Sequence, residues 1–227
     1  MNLLVMGDSH GDIENMINYM EKLENFKYDI IIYMGDFTDI ETPRGFNQKD
    51  ITSILIEEIK SLGKPILAVP GNNDNKEVRK LIEDIGINIH GKGRVIGDYG
   101  FYGFGGAKTP FMTPFEPTED ELKRGLEKGY KETFSSKYKI QITHNPPYNT
   151  KMDVIRAGAH VGSNVVRKFI ENKKPILSLS AHIHEARGVD VLGKTFLLNP
   201  GKLPEGYFGL VEMKDGKVKG RVLNLCE

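Results

Sequence analysis

Four of the six histidines in this 227-residue chain stand in short polar motifs that also carry acidic or amide side chains. The motifs are Asp8-Ser9-His10, Gly35-Asp36-Phe37-Thr38-Asp39, Gly71-Asn72-Asn73-Asp74, His144-Asn145 and His182-Ile183-His184. Carboxylate and amide oxygens mixed with imidazole nitrogens suit borderline divalent ions such as manganese, zinc and iron. Asp36 has two oxygens for two ions to share. His182 and His184 alternate along an extended segment, so both imidazoles fall on one face and reach adjacent ions. The set therefore holds ligands for two metal ions bridged by one carboxylate. Singly the motifs have plainer readings: Gly-Asn runs make tight turns, aspartate caps helices, and a lone histidine is often structural.

Each motif follows an apolar stretch that must position it. Leu3 to Met6 reads as a buried strand. Asp12 caps the next helix, in which Ile13, Met16, Ile17, Met20 and Leu23 follow helical spacing. Ile30-Ile31-Ile32, within Asp29 to Met34, is apolar on both faces and marks a central parallel strand. Ile51, Ile54, Leu55, Ile59 and Leu62 form a second amphipathic helix ended by Gly63. Pro65 to Val69 is a third strand. Asn75 caps a third helix, which carries Val78, Leu81, Ile82 and Ile85 and is closed by Gly86. This β-α-β-α-β-α order predicts right-handed crossovers and a parallel sheet, with the ligand site beyond the carboxyl ends of its strands. Asp8, Asp36 and Asn72 all fall there.

The second half changes character. Arg94 to Gly106 reads as a hairpin, and Thr109 to Asp120 as a Pro-rich loop entering a helix near Glu119 to Lys128. Lys139 to Thr143 is a strand ending at His144. Ser163 caps a helix with Val165, Val166, Phe169 and Ile170, and Pro175 to Ser180 is a strand leading to His182. Gly188 to Leu192, Thr195 to Leu198, Tyr207 to Met213 and Val218 to Leu223 are expected to form an antiparallel meander. Without repeat or linker, residues 1–227 are expected to form a single domain, two sheets between helices.

Lysine plus arginine and aspartate plus glutamate balance at 31 each. That argues against a dominant basic surface for a nucleic-acid backbone and leaves self-association, such as a homo-oligomer, open. Cys226 is the only cysteine, so no intrachain disulfide or cysteine-based metal site is expected. No apolar run nears the roughly 18–20 residues needed to cross a bilayer. The first residues lack a basic region, so a cytoplasmic protein is expected.

In their order along residues 3 to 200, the five motifs resemble the calcineurin-like metallophosphoesterase family. Its pattern runs Asp-x-His, Gly-Asp-x-x-Asp, Gly-Asn-x-Asp/Glu, His, then Gly-His-x-His. The resemblance implies an α/β fold, a four-layered α/β/β/α sandwich with two mixed sheets. It also implies two divalent ions, manganese first, with iron, zinc, nickel or cobalt as alternatives. One would take Asp8, His10, Asp36 and His184; the second would take Asp36, Asn72, His144 and His182. Three further stretches resemble the small Icc-related branch: Gly105-Gly106 through Thr113-Pro114-Phe115-Glu116, His144-Asn145-Pro146-Pro147-Tyr148 and His160-Val161-Gly162-Ser163.

The implied reaction is hydrolysis of a small phosphodiester or phosphomonoester by a hydroxide bridging the two ions. Asp36, Asn72 and His144 would serve it directly. Asn73 stands where many members have a histidine that assists the leaving group, and an amide cannot replace that acid. His160 is a candidate substitute. Asn73, Lys108, Tyr148 and Ser163 are candidate substrate contacts, with Thr109 a weaker one. Ala181 replaces the glycine of the last motif, and metal binding is expected to survive it. A nuclease using the same chemistry, and a metal-binding scaffold with little activity, are the alternatives.

Overall fold

The computed structural model describes residues 1–226. Its first half is the expected alternation: β1 (Asn2–Met6), α1 (Ile13–Leu23), β2 (Ile30–Tyr33), α2 (Gln48–Ser61), β3 (Ile66–Ala68) and α3 (Lys76–Asp84). β1, β2 and β3 are parallel neighbours, with Leu3 opposite Ile30 and Ile31 opposite Ile66. The helices start where side-chain oxygens can accept free N–H groups. Asp12 accepts from Asn15, Asn47 forms a reciprocal capping box with Asp50, and Asn75 accepts from Glu77 and Val78.

Strand alternation divides the core into layers. Leu4, Met6, Ile31, Tyr33 and Ala68 face α1, α2 and α3, packing on Met16, Leu23, Leu55, Ile59, Val78 and Ile82. Their neighbours Leu3, Val5, Ile30, Ile32, Leu67 and Val69 point the other way, against Phe101, Ile140, Ile142, Leu177, Leu179 and Leu198 of a second sheet. A third apolar layer, with Tyr102, Leu122, Leu126, Val166, Phe169 and Ile170, lies beyond that sheet. The sequence Ile30-Ile31-Ile32 is apolar throughout because both faces of β2 are covered.

The second half contributes β4 (Lys92–Ile96), β5 (Tyr99–Phe104), α4 (Glu119–Glu132), β6 (Tyr138–Thr143), α5 (Asn164–Lys173), β7 (Leu177–Leu179), β8 (Gly188–Leu192), β9 (Thr195–Asn199), β10 (Tyr207–Lys214) and β11 (Lys217–Asn224). The sheet orders are β11-β10-β1-β2-β3 and β4-β5-β6-β7-β9-β8. Both are mixed, and helices cover their outer faces in the α/β/β/α order that the resemblance implied. Among the described residues, no helix is long and apolar enough to cross a membrane.

One expectation is corrected. The last four strands are not one meander but two hairpins in different sheets. β8 and β9 pair antiparallel, and β9 runs parallel to β7. β10 crosses to the first sheet and pairs antiparallel with β1, with β11 outside it. The crossing puts Val211 and Met213 into the inter-sheet core and Phe208 into the helix-facing one. It also pairs an edge of β1 that would otherwise stay open.

The loops after β2 and β3 touch through glycine. Gly35 has φ +96°, a conformation that side chains resist, and a Cβ there would overlap the backbone of Gly71. A Cβ on Gly71 would fall within the Asp36 carboxylate and backbone. Gly71→Ala is therefore expected to force the two loops apart, at about 2 kcal/mol or more by comparison with other overpacked sites. Urea unfolding monitored by circular dichroism checks this; an unchanged midpoint would contradict the close approach.

Candidate metal centre

All five motifs emerge at the carboxyl ends of strands: Asp8 and His10 after β1, Asp36 after β2, Asn72 after β3, His144 after β6, and His182 and His184 after β7. Among the described residues, eight other than glycine have positive φ, and four of them are Asp8 (+53°), His10 (+50°), Asp36 (+49°) and His182 (+70°). Such backbone is uncommon for residues with a Cβ and persists only where the surroundings impose it. The surroundings are hydrogen bonds between motifs. The β1 and β2 loops continue the sheet as Asp8 N to Gly35 O (2.9 Å), His10 N to Asp36 O (3.1 Å) and Gly11 N to Phe37 O (2.8 Å). His182 N donates to Asp8 Oδ2 at 3.2 Å. Ala181, fully buried, donates its N–H to His144 O at 3.1 Å, so its extra methyl is accommodated.

Two adjoining clusters result. Asp8, His10 and His184 form one; Asp36, His144 and His182 form the other; within each, one donor atom per residue lies within 4.8 Å of the rest. His10 Nε2 and His184 Nε2 face each other at 3.2 Å. His144 Nε2 lies 3.0 Å from Asn72 Oδ1 and 3.5 Å from Asp36 Oδ2. His144 Nδ1 is 4.0 Å from Asp8 Oδ1, which brings the two clusters together.

The residues behind these groups set their orientation. His144 Nδ1 donates to Met34 O at 2.7 Å, which leaves Nε2 for the cleft. His10 Nδ1 bonds Asp39 Oδ1 at 2.6 Å and likewise turns Nε2 inward. Asp39 thus supports His10 from behind. Asn73 donates twice to Asp36, from its backbone N–H (2.8 Å) and its side-chain amide (3.0 Å). Asp74, to which the sequence assigned no role, accepts from Gly71 N (2.7 Å) and Phe37 N (3.0 Å) and ties the β2 and β3 loops together. Its place in a Gly-Asn-Asn-Asp turn was the only available cue.

Asp8 and Asp36 are almost wholly buried, at 0% and 2% exposure. Burial raises the Asp8 pKa, although His184 and His144 oppose it. Burial also works against the Asp36 charge, but His144, His10 and the Asn73 N–H together outweigh it and hold that carboxyl well below the usual range. Burial disfavours protonated His144, yet Asp36 and Asp8 push its pKa up to about 9. Burial, reinforced by His144, lowers His182 to about 3. Asp74 rises to about 7 through burial and the nearby Asp36. The pattern is a concentration of buried carboxylates that favours positive charge beside them.

Asp8 Oδ1 is buried and has no hydrogen-bond partner. A buried carboxylate oxygen without a donor is costly unless a cation meets it. His184 Nε2 lies 3.6 Å from Asp8 Oδ2, and with His10 in the same cluster this donor set fits a divalent ion.

A cavity of about 560 Å³ opens over the clusters and is lined by His10, Asp36, Asn72, His182 and His184. Asn73, Lys108 and Thr109, expected as substrate contacts, also line it. Tyr148, His160 and Ser163 are outside that lining. His160 Nδ1 bonds the buried Asp153 carboxylate at 2.7 Å, its ring centre lies 5.9 Å from that of Tyr148, and Ser163 caps α5. The sequence reading missed Phe111, Ile155, Arg156, Val161 and Glu185, which complete the walls. None of them is itself a donor in a motif, so only the fold reveals their convergence.

Comparison with known proteins gives the same picture. The uncharacterized protein MJ1162 of Methanocaldococcus jannaschii is 34% identical over 215 residues, 92% of this chain and 90% of that protein. The crystal structure of TT1561 from Thermus thermophilus superposes with a TM-score of 0.77 at 19% identity, covering 98% of each chain. A dimetal phosphatase from Danio rerio gives 0.62 at 10% identity, over 99% of this chain and 98% of that one. An archaeal phosphodiesterase gives 0.55 at 17% identity, over 98% and 100%. These structural likenesses establish the fold. The family model for calcineurin-like phosphoesterase matches residues 1–186, a span that contains every motif described above, and the chain belongs to that family.

Proposed function

We propose that this chain is a dinuclear metal-dependent phosphoesterase that hydrolyses a small phosphodiester or phosphomonoester in the cytoplasm. The observation carrying this reading is the pair of adjoining donor clusters, one of which contains the buried, unpartnered Asp8 Oδ1. Asp8, His10 and His184 would hold one ion, Asn72, His144 and His182 the other, and Asp36 would bridge them. Manganese is the first candidate. When bound, two such ions supply a water of lowered pKa and offset the charge of the phosphoryl oxygens.

The chain's own residues do the rest. Met34 O and Asp39 hold His144 and His10 with Nε2 toward the cleft. The two Asn73 donors fix the Asp36 carboxylate in one orientation. Lys108 and Arg156 bring positive charge to the mouth of the cavity, where a phosphate would approach. Asn73 cannot protonate a departing alkoxide near neutral pH. We assign His160 to holding its loop through Asp153 rather than to proton transfer. Esters with stable leaving anions are therefore the better substrates.

Purified protein loaded with Mn²⁺ is expected to hydrolyse bis-p-nitrophenyl phosphate or p-nitrophenyl phosphate. No turnover with Mn²⁺, Fe²⁺, Zn²⁺, Ni²⁺ or Co²⁺ on a panel of monoesters, diesters, cyclic nucleotides and nucleic acids would overturn the proposal. Asp36→Asn removes the bridging charge and should cut turnover on the order of a thousandfold, about 4 kcal/mol of barrier. Retained turnover in that variant would remove the bridging role from Asp36. Chelator treatment should lower the Tm, and adding Mn²⁺ at about a hundred times its Kd should restore roughly 5–10 °C by mass action. Differential scanning calorimetry checks this, and an unresponsive Tm would count against a metal site.

A further inference from the structure

The loop after β5 holds Phe111 and Met112 at 78% and 90% exposure beside the cleft. Large apolar side chains this exposed usually belong to slack surface segments, but this loop is braced. Glu116 Oε1 accepts from Thr109 Oγ1 (2.6 Å), Thr113 N (2.7 Å) and Thr113 Oγ1 (2.9 Å). Phe115 N donates to Asn72 O at 2.9 Å, tying the loop to a proposed metal-ligand position. The Arg79 guanidinium lies 4.1 Å from the centre of the Phe115 ring.

A second wall is braced in the same way. Val154 and His160 pair antiparallel, and Ile155 N donates to Ala159 O at 3.0 Å, making a short hairpin. Its base is fastened by the fully buried Asp153, which accepts from Asn149 N, Thr150 N, Gly162 N and His160 Nδ1. Ile155, Arg156 and Val161 of this segment line the same cavity as Phe111. Two braced loops thus contribute Phe111, Ile155 and Val161 to one slot that reaches the donor clusters.

We infer that this slot is a specificity subsite for a flat aromatic arm of the substrate, such as a nucleoside of a phosphodiester, received by Phe111 and the Ile155–Val161 hairpin. The inference rests on the phosphoesterase reading of the clusters. A flat ring suits the walls: Phe111 offers an aromatic face, and a guanidinium such as that of Arg156 stacks on planar rings. The braces keep both loops in place before the ligand arrives, so little ordering entropy is lost on binding. The arm in the slot leaves its phosphoester facing the clusters.

Two substrates with the same leaving group isolate the subsite: thymidine 5′-p-nitrophenyl phosphate and methyl p-nitrophenyl phosphate. The Mn²⁺-loaded protein should prefer the nucleoside ester by about tenfold or more in kcat/KM, in line with the contribution of one stacked base. Phe111→Ala should reduce that ratio about tenfold, mostly through KM. A ratio near one in the unmodified protein, or a ratio that Phe111→Ala leaves in place, would overturn the inference. A binding measurement decides independently of turnover. The base emission of 1,N6-ethenoadenosine 5′-monophosphate should be quenched on titration with the protein, and Phe111→Ala should weaken that binding about tenfold. No quenching, or quenching that Phe111→Ala leaves unaltered, would overturn the subsite even if both esters are hydrolysed. Quenching without hydrolysis of either ester would retain the subsite and reject the phosphoesterase reading.

Discussion

Two buried carboxylates, Asp8 and Asp36, stand at the ends of neighbouring parallel strands, and the rest of the site is organised around their charge. An ionised carboxylate removed from water must be met by donors or by opposite charge. Asp36 has both, in the two Asn73 N–H groups and in His144. Asp8 has the backbone N–H of His182 on one oxygen and no donor on the other. The two carboxylates also push the pKa of His144 up to about 9, so the cluster favours positive charge beside them. A divalent ion would supply it.

The sandwich makes such a concentration of charge tolerable. Helices cover the outer face of each sheet and the two inner faces bury each other, so the apolar core is complete without the strand ends. The ends are then free to carry polar groups and strained backbone. The positive φ values at Asp8, His10, Asp36 and His182 are held by hydrogen bonds from one loop to the next. The glycine-only contact between the β2 and β3 loops brings Asn72 and Asn73 within reach of Asp36. Rigidity recurs at the cavity walls, where Glu116 and Asp153 each collect several hydrogen bonds.

Much of this was legible in the residues. Ile30-Ile31-Ile32 announced a strand covered on both sides, and Asp12, Asn75 and Ser163 marked helix starts that the structure retains. The pairing of the last four strands was not legible. Their short turns are compatible with one meander or with two hairpins, and only the open edge of β1 and the space between the sheets decide between them. His160 illustrates the same limit in the site. Its motif carries no information about direction, and in the fold the ring turns to Asp153.

The sequence by itself determined the order of the elements, the residues that could donate to a metal ion and their place at strand ends, because hydrophobic periodicity and residue type are local properties. Tertiary structure alone decided how near the donors of each cluster stand to one another, which oxygen of Asp8 stays unpartnered, and which loops wall the cavity. Those features join segments as distant as His10 and His184, or Phe111 and Val161, and no local pattern specifies the distance between side chains that meet only after the two sheets have packed.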